Sequence, residues 1–315
     1  MIEKSAVERP QQFRLTTFGE SHGVAIGGVI EGCPSGLRIN HQLIAEDLAR
    51  RATGKTSSES QRREPDEVEF LSGLLDGVTL GTPIAFLVRN IDAKPEDYEP
   101  FKDSFRPSHA DYTYQCKYGI RDWRGGGRAS ARAMLPYVVA GSIAKQLLAQ
   151  HGICVTAEVS SIGGETDPSK METLLAQCRS NGDTVGGIVH GSIKGLPAGL
   201  GEPLEDKFQA CLAKAMFTIP AVKGFEYGDG FAMAAMKGSE ANDTMTVQEG
   251  FVKFLSNHSG GIQGGITNGE EVFFNVAFKP IPTLGRGDRH DVCALPRATV
   301  IVEAMAALIV MRFMP

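Results

Sequence analysis

Residues 124–132 read Arg-Gly-Gly-Gly-Arg-Ala-Ser-Ala-Arg and run almost directly into an apolar stretch, Met-Leu-Pro-Tyr-Val-Val-Ala at 134–140. A fold built on this sequence must bring three guanidiniums, spaced four residues apart, to the wall of its own core. Glycine lets a backbone approach a ligand closely and take positive φ, while its exposed N–H groups can face an anion. Arginine adds a planar, permanently charged fork suited to phosphate and carboxylate. A helix starting near Ala129 would put Arg128 and Arg132 on one face, with Ser130 in the first turn at the positive dipole end. The segment describes a polyanion pocket. Arg-Gly runs also form solvated loops and nucleic-acid-binding tails, but those are long, repetitive and poor in apolar residues.

The whole chain is acidic, with a net charge of −5 over 315 residues. A general affinity for nucleic acid or an anionic membrane therefore has no support, and any basic site must be local. Hydrophobic residues make up 42% and charged residues 22%, proportions that suit a globular protein. No linker or low-complexity segment interrupts it, which predicts a single domain over 1–315. The six cysteines lie far apart with no C-x-x-C pair, so neither a zinc site nor a disulfide framework is expected. The start of the chain lacks an apolar signal region, and the stretch 298–311 is too short for a bilayer and contains Glu303. A cytoplasmic location is expected.

Alternation and β-branched runs predict strands at 24–30, 68–71, 84–88, 154–161, 185–192, 231–236 and 272–278. Asn40 is placed to cap a helix over 41–51, and Pro168 and Pro203 suit the first turns of helices near 169–179 and 204–216. Two longer apolar helices are predicted over 129–150 and 297–312, with Pro136 kinking the former or setting its start. The strands cluster instead of alternating with helices. This predicts an α+β fold, mostly antiparallel sheets around a central helical layer.

Two histidines stand in unusual settings. His22 follows Ser21 within Gly19-Glu20-Ser21-His22-Gly23, where flanking glycines favour ligand approach over packing; the default reading of a lone histidine is structural. His109 lies in Arg106-Pro107-Ser108-His109-Ala110-Asp111, where Pro107 stiffens a loop that can aim Arg106 and His109 into one site. The glycine-rich segment 256–265 matches neither the dinucleotide nor the P-loop pattern, and reads equally as a phosphate cradle or a tight turn. Lys279-Pro280-Ile281-Pro282-Thr283 offers a cation and a hydroxyl on a stiff turn. Arg286-Gly287-Asp288-Arg289-His290-Asp291 packs charge into one loop, usually a solvated feature, though Arg289 and Asp291 can face a pocket together.

Seven segments, in order along nearly the whole chain, resemble the chorismate synthase family: 19–23, 106–111, 124–132, Gly-Leu-Gly-Glu-Pro at 199–203, Val-Lys-Gly-Phe-Glu at 222–226, 256–262 and 289–291. The resemblance implies a β-α-β sandwich and a homotetramer. It also implies a lyase that converts 5-enolpyruvylshikimate-3-phosphate to chorismate and phosphate. The reaction is an anti 1,4-elimination dependent on reduced FMN, the last common step of the shikimate pathway. By the same resemblance His22 would protonate the departing phosphate and His109 would balance the reduced flavin's charge. Asp291, with Ser21, would help the flavin N5 accept the proton lost from substrate C6. Arg51, Arg106, Arg132 and Arg289 would clamp the substrate. Arg128, Ala129, Ser130, Pro220, Ala221, Gly264, Lys279, Pro280, Ile281, Pro282, Thr283 and Arg289 would hold FMN.

The sequence also departs from the family pattern. Only residues 284–288 stand between Thr283 and Arg289, where the family carries a longer insert. Ala133-Met134 replace an expected Glu-Thr pair, Ala52-Thr53-Gly54 follow Arg51 where the family has x-Pro-Gly, and Ser57 takes a basic position. An FMN-dependent oxidoreductase using NADPH is the alternative reading, and an Arg-Gly nucleic-acid module a third. For the lyase, NADPH enters only indirectly, through a separate flavin reductase.

Overall fold

The computed structural model describes residues 12–53, 62–249, 251–284 and 291–314. Strands β1 (Arg14–Gly19), β2 (Ala25–Glu31), β3 (Val68–Phe70) and β4 (Ile84–Arg89) form one antiparallel sheet in the order β1-β2-β4-β3. Strands β5 (Cys154–Ile162), β6 (Gly187–Lys194), β7 (Val222–Tyr227) and β8 (Val272–Phe278) form a second, in the order β5-β6-β8-β7, again antiparallel. Between them lie α1 (His41–Arg51), α3 (Leu135–Ala149) and α6 (Leu295–Phe313), which pack on one another; α3 meets β1 and β2 while α6 meets β5 and β6. The expected sheet–helix–sheet arrangement is borne out. Helices α2 (Asp111–Tyr118), α4 (Pro168–Asn181) and α5 (Phe208–Thr218) complete the labelled set.

The layering follows from side-chain pattern. Strand β8 alternates buried and half-buried positions along its whole length, as a strand with one core face must. Helices α3 and α6 bury residues on nearly every side, the mark of helices enclosed between two layers. Gly141 of α3 lets the pair close: a Cβ there would sit 2.3 Å from the Ala304 Cβ of α6. Asn40 caps α1 by accepting from the Gln42 and Leu43 N–H groups, and Asp167 caps α4 in the same way.

Several local expectations are corrected. The Arg-Gly segment does not open a helix near Ala129. Two 3₁₀ turns, Gly127–Ala129 and Ala131–Met134, precede α3, because Ser130 is extended (φ −71°, ψ 144°) and its side chain accepts from the Arg132 N–H. Pro136 sets the helix start. Residues 231–236 form no strand but a 3₁₀ turn, Gly230–Ala235: Gly228 and Gly230 both take positive φ, and the Phe231 N–H donates to Glu226. Pro203 precedes a separate turn, Leu204–Asp206, and α5 begins only at Phe208. Strands β1 and β7 and the polar helix α2, none of them expected, fill the remaining sheet edges and the site's rim.

Candidate active site

The three consecutive glycines 125–127 all hold positive φ, and each abuts a polar side chain brought from elsewhere. A Cβ on Gly125 would lie 2.0 Å from His22 Cε1, one on Gly126 2.6 Å from His109 Cε1, and one on Gly127 2.5 Å from Glu20 Oε2. Both imidazoles thus rest on adjacent residues of the Arg-Gly segment, although they are distant from it in sequence. Only glycine fits there.

These rings open onto a cavity of about 590 Å³ between the two sheets' loops. His22, His109 and Asp291 line it, with Arg51, Arg106 and Arg132, and with Arg128, Ala129, Ser130, Pro220, Ala221, Lys279, Ile281, Pro282 and Thr283. Ser21 lies directly behind, fully buried, its hydroxyl 3.0 Å from His22 Nδ1. Pro280 belongs to the same turn but not to the wall. Gly264 sits apart, at the turn of a small hairpin, Ile262–Gln263 with Ile266–Thr267. Arg289 falls outside the described residues. Ser108 and Ala221, both on the wall, hold positive φ (57° and 71°) without being glycine, a backbone cost that clusters at functional sites.

Tertiary contacts add residues that sequence reasoning missed: Arg62, Glu64, Asp66, Tyr98, Tyr114 and Arg297 also line the cavity. Asp66 accepts from Arg51 Nη2 (2.5 Å) and Arg132 Nη1 (3.0 Å). Asn90 accepts from Arg132 Nε (2.5 Å) and donates to the Glu20 and Gly23 carbonyls, so it straps the His22 loop to Arg132. Arg62 binds Glu64 and donates to the Ser21 carbonyl (3.2 Å). Arg128 reaches β1, donating to Thr17 Oγ1 (2.6 Å) and the Gly19 carbonyl (3.2 Å). Asp291 is paired with Arg297 at the start of α6. Tyr98 meets the His22 ring edge-on at 4.9 Å, and the Arg106 guanidinium lies 5.8 Å from its ring centre.

Seven cationic side chains face three carboxylates across this wall, in a chain whose net charge is negative. Burial, assisted by Arg62, pushes the His22 imidazole down to about 4, so the ring is neutral at pH 7. His109 is lowered too, by burial and then by Arg106. Burial alone would raise the Asp111 carboxyl, yet hydrogen bonds from Arg106 hold it well below the usual carboxylate range. His109 Nδ1 lies 2.9 Å from the Asp111 carboxylate and 3.1 Å from Arg106 Nη2, so the ring is held between an acceptor and a donor. Among the described residues, Arg51 Nε, Arg132 Nη2 and Arg297 Nε are buried donors without a hydrogen-bond partner. Unpaired buried N–H groups are costly. Grouped on a cationic wall, they suit an anionic ligand.

Comparison with known proteins agrees on one family. The family model described as chorismate synthase matches residues 13–314. The chorismate synthase of Christiangramia forsetii is 50% identical, covering 95% of this chain and 94% of its own. That of Porphyromonas gingivalis is 49% identical, covering 94% and 92%. These alignments run over 339 and 338 positions against 315 residues here, so the relatives carry segments this chain lacks. A solved structure described as the crystal structure of chorismate synthase superposes with a TM-score of 0.79 at 30% identity, covering 96% of this chain and 91% of that one.

Proposed function

The chain belongs to the chorismate synthase family and is a lyase of aromatic amino acid biosynthesis, and on that premise we propose that the cavity between the Arg-Gly segment and the Lys279 turn is its active site. Family membership implies a flavin cofactor and 5-enolpyruvylshikimate-3-phosphate as substrate. Our finer reading is that FMN, in its reduced form, is held along Arg128, Ala129, Ser130, Pro220, Ala221 and the 279–283 turn. The substrate then lies against Arg51, Arg106 and Arg132. The donor set fits both ligands: guanidinium forks suit the substrate's phosphate and two carboxylates, and orphan buried N–H groups await acceptors.

When bound, reduced FMN supplies transient electron density that makes the allylic phosphate a better leaving group. The residues provide the rest. His22 rests neutral because it is buried among cations; a phosphate dianion beside it raises its proton affinity. It takes up a proton as substrate binds and delivers it to the departing phosphate. Ser21 and Tyr98 fix the ring. The Arg106–Asp111–His109 cluster holds a neutral imidazole beside the cavity, poised to gain positive charge when a negative group docks. Asp291 holds Arg297 on the α6 side and, with Ser21, would help the flavin accept the proton lost from substrate C6.

The observation that carries this reading is the seating of both imidazoles on Gly125 and Gly126. A homotetramer, with exposed Met245, Val247 and Val252 of the hairpin Met245–Gln248 and Phe251–Phe254 covered by other copies, completes it. Reduced FMN is supplied by a separate reductase. The test is anaerobic turnover of 5-enolpyruvylshikimate-3-phosphate with chemically reduced FMN. Release of equimolar chorismate and phosphate, with no net flavin oxidation, supports the lyase. Net flavin oxidation with substrate reduction, or no phosphate release, overturns it in favour of an oxidoreductase or neither.

A further inference from the structure

Asp66 carries two of the site's arginines on one carboxylate. Its side chain is only 4% exposed, and its two oxygens divide between Arg51 Nη2 at 2.5 Å and Arg132 Nη1 at 3.0 Å. Arg51 is the last residue of α1 and Arg132 lies in a 3₁₀ turn, so the carboxylate ties together two elements remote in sequence. Burial, opposed by the Asp66 charge and joined by that of Arg132, pushes the Arg51 guanidinium below its ordinary range. Each also keeps one buried N–H without a hydrogen-bond partner among the described residues, Nε of Arg51 and Nη2 of Arg132, the latter 4.0 Å from Glu64. Asp66 itself sits at φ 49°, a left-handed conformation that non-glycine residues take at a cost and that Asp and Asn tolerate best.

We propose that Asp66 is a positioning residue for substrate: its carboxylate is the strut that holds Arg51 and Arg132 at the spacing where their remaining N–H groups meet the substrate's anionic groups. This rests on the reading that Arg51 and Arg132 clamp substrate. It has a sign that charge balance alone does not share. Removing a carboxylate from a cavity that binds a polyanion should strengthen binding if only net charge counted. A strut predicts weaker binding, because two unrestrained guanidiniums splay apart and lose their aim.

The test compares Asp66→Asn, Asp66→Glu, Arg51→Gln and Arg132→Gln in the whole enzyme with reduced FMN. Asn keeps the size and tolerates the left-handed backbone; Glu keeps the charge but moves it outward. The strut predicts that both Asp66 variants, folded by thermal melt, raise the substrate KM about tenfold or more while kcat changes little. An unchanged or lower KM for Asp66→Asn, or a normal KM for Asp66→Glu, overturns the proposal. If the two arginine variants leave KM unchanged, the clamp itself fails; if they raise it and Asp66→Asn does not, only the strut fails. Should an Asp66 variant not fold, ¹⁵N resonances of the intact protein decide the matter. Slow rotation of both the Arg51 and Arg132 guanidiniums, with and without inorganic phosphate, supports the strut, and fast rotation of either overturns it.

Discussion

His22 and His109 reach the same strip of backbone from different loops, and each is kept neutral by burial among guanidiniums. A positioned proton donor contributes on the order of 10²–10⁴-fold, so His22→Ala and His109→Ala should each lower phosphate release by at least about 10². Losses below tenfold in both would remove the histidines from the chemistry. The same burial has a pH signature. Because the folded pKa of His22 (about 4) lies below its ordinary 6.5, its contribution to stability is present above pH 6.5 and is lost as pH falls toward 4. Urea midpoints measured from pH 7 to 4.5 should therefore fall less steeply for His22→Asn than for the unaltered protein; parallel slopes would contradict the buried neutral ring. These histidines were legible in the sequence because their type and their glycine or proline neighbours announce chemistry. Asp66 and Asn90 were not, since the partner they share, Arg132, lies 66 and 42 residues away. No local pattern encodes such pairings.

Elements show where glycine replaces side chains for geometric reasons. Gly125→Ala would force a Cβ into His22 at a φ of +62°. Displacing the ring by about 1 Å should cost on the order of 10²-fold in kcat/KM while the melt moves little. A normal rate would show that the ring's seat is unimportant. Gly141→Ala is the complementary case, far from the cavity, because its Cβ would meet Ala304 across the α3–α6 contact. It should destabilise by about 1–3 kcal/mol in chemical denaturation and leave KM alone. Period and caps made α1, α4, α6 and most of the sheet strands legible. The Arg-Gly segment misled because Ser130 caps a 3₁₀ turn in place of opening a helix; β1 was hidden because its positions alternate only between exposed and half-buried, and β7 because most of its positions are half-buried alike.

At the scale of the whole molecule, an acidic chain gathers seven cations on the wall of one cavity, at the loops of two four-stranded sheets that sandwich its apolar helices. The order of the motifs made that architecture legible, but the wall itself is assembled from segments near residues 22, 51, 66, 106, 128, 221, 280 and 297, which only folding brings together. The exposed apolar hairpin fits the proposed tetramer: Val247→Asp with Val252→Asp should lower the mass seen by light scattering, and an unchanged mass would place the interface elsewhere. Two polyanions sharing one cationic wall must be coupled, because each orders arginines that the other needs. The most direct measurement is the dissociation constant of FMN with and without 5-enolpyruvylshikimate-3-phosphate. We expect substrate to tighten FMN binding by roughly 5–150-fold; an FMN affinity indifferent to substrate would contradict a shared site.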